Sequence, residues 1–151
     1  MANEKILVVD DDTNICELLR LYLTKEGYQV TVANDGEEGL EKFNQVKPDM
    51  VLLDVMMPDI SGFEVAQQMK ADEEMSEIPV IFLTALNSTA DIVKGFQVGG
   101  NDFISKPFNK EELIIRVTHQ ISLVAAKRII IAQTEELRKT CLLYTSDAAD
   151  D

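Results

Sequence analysis

Tryptophan is absent from this 151-residue chain, histidine occurs once (His119), and cysteine only twice, at Cys16 and Cys141. Two cysteines are too few for a disulfide framework, and a reduced, cytoplasmic setting is the default. No apolar run approaches the roughly 20 residues that a membrane span needs. Met1–Lys5 leads straight into a short apolar strand with no cleavage-site pattern, so no signal peptide is read. Positive charge is scarce: 14 Lys and Arg against 27 Asp and Glu leave a formal net charge of −13. Clustered bases that would neutralise a phosphate backbone are therefore missing, which argues against direct nucleic-acid binding by this segment. A DNA-binding partner domain is not excluded by that charge.

What is present is ample apolar material. Hydrophobic residues make up 46% of the chain, enough for a real core, and the length fits one domain plus an extension. Lys5–Asp10 (KILVVD), Gln29–Ala33 (QVTVA), Met50–Asp54 (MVLLD), Val80–Thr84 (VIFLT) and Asp102–Ser105 (DFIS) read as strands. Between them, helical spacing appears five times. The first helix runs through Glu26 with Asp12 or Thr13 as its cap, and Gly27 ends it. The second follows the turn Asn34-Asp35-Gly36; the third is capped by Ser61. The fourth spans Ala90–Gln97, and the fifth starts near Asn109, where NKEE resembles a capping box. Cys16 falls among the residues of the first helix and reads as a small apolar filler.

Strands one, three and four are almost wholly apolar, as strands buried on both faces are. The expected fold class is therefore α/β, a doubly wound five-stranded parallel sheet with helices on both sides. Ligands in such folds sit beyond the carboxyl ends of the strands. Asp10 and Asp11 stand at that end of the first strand, Asp54 at that of the third, and Thr84 ends the fourth. Lys106 follows the fifth. Several carboxylates at one edge repel unless a proton or a cation relieves them. With oxygen ligands only, the cation is a hard one, Mg²⁺ before Zn²⁺. A cation, a lysine and a threonine around a carboxylate suit a phosphoryl group, with the carboxylate placed for in-line attack.

The motifs ILVVDDD, VLLDVMMPDISG, IFLTA and DFISKPF occur in this order. Together they make residues 1–122 resemble the receiver domain of two-component response regulators, with its flavodoxin-like fold. The resemblance implies a cytoplasmic protein of bacterial phosphorelay signalling. It implies that Asp54 is the phospho-acceptor and that Asp11, Asp54 and the Met56 backbone carbonyl bind Mg²⁺, with Asp10 acting through water. Lys106 would pair with phosphoryl oxygens, and the Thr84 hydroxyl and Ala85 N–H would bind another. Thr84 and Phe103 match the switch positions, and Lys106-Pro107 matches a cis peptide. The implied partner is a sensor histidine kinase or a phosphotransfer protein. Phosphorylation would reshape the face of the fourth helix, fifth strand and fifth helix, a possible route to a homodimer, as is the C-terminal helix. Residues two past the acceptor and two past the threonine influence acyl-phosphate lifetime in this family. Here they are Met56 and Leu86, both apolar, so slow self-dephosphorylation is expected.

Other readings are weaker. Phosphatases of the haloacid dehalogenase type also form an aspartyl phosphate at a strand end, but they carry a second Asp two residues after the nucleophile. Met56 occupies that place here. A receiver-like module used only for binding would lack one of the five site residues, and none is missing. His119, with no partner ligand in sight, reads as a surface residue, and Phe103 is also readable as plain core.

Beyond residue 122 the chain continues as an amphipathic helix. Leu123, Ile130 and Leu137 recur at seven, consistent with a helical linker over residues 123–140, so the fold is expected to carry an extended C-terminal helix. Such linkers resemble those leading to output modules; a receiver-first histidine kinase ranks above a DNA-binding output. Residues 141–151 (CLLYTSDAADD) resemble a translated sequencing adaptor and are set aside as a non-native tail.

Overall fold

The structure, a computed structural model, describes residues 4–73, 75–85 and 88–126. Five strands alternate with helices: β1 (Lys5–Val9), α1 (Thr13–Lys25), β2 (Gln29–Ala33), α2 (Gly36–Val46), β3 (Met50–Leu53), α3 (Gly62–Ala71), β4 (Val80–Thr84), α4 (Thr89–Gln97) and β5 (Asp102–Ser105). A final helix, α5, occupies residues 110–126 of the described chain. The strands form one parallel sheet in the order β2-β1-β3-β4-β5. This is the expected doubly wound α/β architecture.

Side-chain alternation explains why the central strands read as continuous apolar runs. Ile6 and Val8 of β1, Met50 and Leu52 of β3, and Ile81 and Leu83 of β4 face α1 and α5, where they meet Leu19, Leu23, Leu113 and Val117. The intervening Leu7, Val9, Val51, Leu53, Val80 and Phe82 face the other layer and meet Phe43 of α2 and Phe63, Ala66 and Met69 of α3. Each strand is thus buried on both faces, as a parallel sheet covered by two helical layers requires.

Four of the helices start on caps legible in the sequence, while α4 starts at Thr89, one residue before the expected Ala90, with Ser88 accepting from Asp91 N–H. Asp12 accepts hydrogen bonds from the N–H groups of Asn14 and Ile15, Asp35 from Glu38, and Ser61 from Phe63. Asn109 accepts from Glu112 N–H, which opens α5. Gly27, with φ 95°, ends α1 in the left-handed region that favours glycine. Lys47 adopts a left-handed φ of 52° at the end of α2, just before Pro48, a feature the sequence reading lacks. Strands β1 and β3 stop one residue earlier than expected, at Val9 and Leu53, which leaves Asp10 and Asp54 just beyond the sheet.

Helix α5 is continuous through residue 126, past the expected domain boundary at 122. Ile130, Leu137 and the tail at 141–151 lie outside the described residues. Among the described residues no helix is long and apolar enough to cross a membrane.

Candidate phospho-acceptor site

Strand order reverses between β1 and β3, since β2 lies on one side of β1 and β3 on the other. That switch point opens a crevice beyond the carboxyl ends of both strands. The residues that fill it are pinned by the sheet itself. Asp10 N–H donates to Ala33 O at 3.1 Å, Asp54 N–H to Val9 O at 2.9 Å, and Lys106 N–H to Thr84 O at 2.9 Å. Each is the first residue past its strand, and each still carries one rung of the ladder. Their side chains therefore start from backbone positions set by neighbouring strands rather than by free loops.

Asp10, Asp54 and Thr84 are buried, at 1%, 5% and 0% exposure, while Asp11 is exposed. Lys106 Nζ lies 2.8 Å from Asp10 Oδ2 and 3.3 Å from Asp54 Oδ2. Asp10 Oδ1 accepts from Asp12 N–H at 2.9 Å, and Asp54 Oδ1 from Met56 N–H at 3.3 Å. Burial pushes the Asp10 carboxyl above its usual range, with the Asp54 charge adding to the shift, although hydrogen bonds from Lys106 and Asp12 oppose it. Burial also disfavours the Lys106 ammonium, but the hydrogen bond and charge of Asp10 and the charge of Asp54 outweigh it and raise its pKa.

One carboxylate oxygen each from Asp10, Asp11 and Asp54 lies within 4.8 Å of the others. Two buried carboxylates this close repel by about 3–4 kcal/mol at an effective dielectric near 20. Lys106 supplies one positive charge against three negative ones, so a divalent cation fits the remaining deficit. Oxygen donors of this kind suit a hard cation such as Mg²⁺.

Ala85 is exposed at the rim, next to Thr84. Met56 is 59% exposed on the other side of Asp54. Leu86 lies outside the described residues. The Lys106-Pro107 peptide is cis. Phe103 is half-buried and sits further along β5, its ring 5.3 Å from that of Phe82 and 6.4 Å from that of Phe96. His119 is exposed on α5, away from the carboxylates, among the residues of a groove that includes Asp102 and Arg116.

Two contacts were not legible in the sequence. Cys16 is buried under Asp10 and its Sγ donates to the Asp10 carbonyl oxygen at 3.3 Å, so it is more than filler. Asp59, in the loop after Asp54, accepts from the N–H groups of Gly36 and Glu37 at the start of α2. Neither contact has a local sequence signal, because the partners are 6 and 22–23 residues apart.

Comparison with known proteins agrees with this fold. A family model described as the response regulator receiver domain matches residues 6–118. Among curated proteins, a probable transcriptional regulator ycf27 of Guillardia theta is 44% identical over 116 residues, covering 77% of this chain and 44% of that protein. The DNA-binding dual master transcriptional regulator RpaA of Synechocystis is 42% identical, covering 75% and 47%. The chain thus spans about half the length of the curated relatives it matches. Among solved structures, the chemotaxis protein CheY4 of Vibrio cholerae is similar with a TM-score of 0.75 at 32% identity, covering 78% of this chain and 98% of that one.

Proposed function

This chain belongs to the response regulator receiver domain family, and on that premise we propose that Asp54 is the residue that takes the phosphoryl group. Receiver domains carry signals in two-component systems by accepting phosphate, and they generally bind Mg²⁺ at an acidic pocket. The observation that carries the residue assignment is the bridging of Asp10 and Asp54 by one lysine at a shared sheet edge, with Asp11 close enough to complete a cation site.

In the proposed reaction an Asp54 carboxylate oxygen attacks the phosphorus of a partner's phosphohistidine. The P–N bond breaks, its electron pair stays on the imidazole nitrogen, and that nitrogen then takes a proton. The product on this chain is an acyl phosphate. Bound Mg²⁺ would supply charge neutralisation at the phosphoryl oxygens. Asp11, Asp54 and the Met56 carbonyl would hold it directly and Asp10 through water. Lys106, already within 3.3 Å of Asp54, turns its ammonium to a phosphoryl oxygen. The Thr84 hydroxyl and the Ala85 N–H take another, and moving Thr84 inward gives the Phe103 ring room to sink deeper. Phosphorylation then shifts the population between two arrangements of the α4–β5–α5 face.

Beside Lys106 a cavity of about 480 Å³ is lined by Ile15, Leu18, Ala85, Pro107 and Phe108. Its apolar walls suit the helix of a sensor kinase or phosphotransfer protein that carries the histidine. On the α4–β5–α5 face Val93, Phe96 and Ile115 are exposed, which supports self-association there. The residue ranges 1–122 for the receiver and 123–140 for a linker remain part of this proposal. A receiver-first histidine kinase gains no support over a response regulator: RpaA, among the curated relatives, is named as DNA-binding.

Incubation with acetyl phosphate and Mg²⁺, read by intact mass, tests the assignment. Wild type is expected to gain one phosphoryl group, and Asp54→Asn none. Equal labelling of the two, or no labelling of wild type with a competent donor, overturns it.

A further inference from the structure

The loop that follows the acceptor is fastened to a helix that contributes nothing else to the site. At the start of α2, Asp35 caps Glu38 N–H at 2.8 Å. The two preceding donors, Gly36 N–H and Glu37 N–H, are taken by Asp59 at 3.1 and 2.9 Å. Two carboxylates from different parts of the chain thus divide the first-turn donors of one helix, a place where negative charge is favoured. Burial alone would raise the Asp59 pKa, but the backbone N–H groups of Glu37, Gly36, Ile60 and Asp59 together outweigh it and hold the carboxyl below its ordinary value.

Shape reinforces the charge. A Cβ on Gly36 would overlap the Ile60 side chain and come within 3.0 Å of Val65, so the glycine lets Ile60 close against α2. At the far end of the loop Gly62 N–H donates to Val55 O at 2.9 Å, and a Cβ on Gly62 would overlap the Asp54 carbonyl oxygen. The loop is therefore clamped at residues 59–60 and again at 62. Met56 lies between Asp54 and those clamps, with its N–H on the Asp54 carboxylate at 3.3 Å.

We propose that Asp59 is a positioning residue for the cation site: by latching the acceptor loop to the N-terminus of α2, it holds the Met56 turn in the conformation that metal binding needs. The inference rests on the site assignment of the preceding section. It also gives α2 a part in the chemistry, through the backbone N–H groups of Gly36 and Glu37. Supporting groups of this kind tune affinity by fixing a ligand's orientation, and their loss costs roughly 10-fold or more in metal affinity.

The test compares Asp59→Ala with Asp35→Ala in the full chain. Both remove a carboxylate from the same helix terminus, but only the first frees the loop. Mg²⁺ is titrated alone, without a phosphodonor, and the backbone amide chemical shifts of residues 10–12 and 54–57 are followed. Melting temperatures are recorded alongside. Asp59→Ala is expected to weaken Mg²⁺ binding roughly 10-fold, while Asp35→Ala melts lower with Mg²⁺ binding close to wild type. Wild-type affinity in Asp59→Ala, or equal weakening in the two variants, overturns the positioning role. A wild-type protein whose shifts ignore Mg²⁺ overturns the site assignment itself, and the inference with it.

Discussion

Phe103 occupies the space that a side chain on Gly95 would need: a Cβ there would overlap its ring. The ring is held from three sides, by the α4 backbone at Gly95, by Phe82 of β4 at a centroid distance of 5.3 Å and by Phe96 at 6.4 Å. Gly95→Ala should therefore destabilise the protein by about 1–3 kcal/mol through overpacking, although alanine is ordinarily favoured over glycine inside a helix by ~1 kcal/mol. Urea unfolding of a double-mutant cycle checks this. In a Phe103→Ala background the same substitution should become neutral or stabilising; a cost that persists there would show that the ring is not what Gly95 accommodates.

Asp10 is the most deeply buried of the three carboxylates, and burial raises its pKa. An acid whose folded pKa is raised contributes its full stability below the unfolded pKa and loses it as pH rises through the folded value. At neutral pH its ionised form therefore works against folding. Asp10→Asn keeps an oxygen for the Asp12 N–H and leaves Lys106 its Asp54 partner. The variant is expected to melt above wild type in EDTA at pH 7, and to lose that advantage at saturating Mg²⁺. A lower melting temperature in EDTA would contradict the sign.

Met56 is largely exposed beside Asp54, the proposed phospho-acceptor, and its side chain offers an attacking water only a weak thioether acceptor. Met56→Asn adds an amide that can orient one. Phosphate loss from Asp54 should accelerate roughly two- to tenfold, the equivalent of about 0.5–1.5 kcal/mol for one hydrogen bond. Mass spectrometry of the labelled protein over time measures it, and an unchanged lifetime would refute control from this position.

Burial, with the Asp10 charge behind it, pushes the Cys16 thiol up to about 12. The thiolate is the reactive form, so Cys16 should resist iodoacetamide at pH 8 in the native protein and react once unfolded. Between its ordinary value of 9.0 and 12 the unfolded chain binds fewer protons than the folded one. Stability should therefore fall as pH rises through that window. Peptide-level mass analysis separates Cys16 from Cys141; rapid native labelling of Cys16 would contradict the burial argument.

The sequence alone determined the sheet, because a strand buried on both faces has to be apolar along its buried length, and residues 6–9, 50–53 and 80–83 are. It also determined which polar residues matter, since each one interrupts or ends such a run: Asp10, Asp54 and Thr84. Helix starts were readable at Asp12, Asp35, Ser61 and Asn109 because a cap acts on donors only two or three residues away.

Tertiary structure decided the rest. Lys106 reaches Asp10 across 96 residues of sequence, and only the strand order brings them to 2.8 Å. Asp59 finds the free donors of a helix that ends 13 residues before it, and Gly95 matters only because a ring from β5 arrives against it. Such contacts depend on which elements become neighbours. That is set by the winding of the whole sheet, and no local pattern of residues records it.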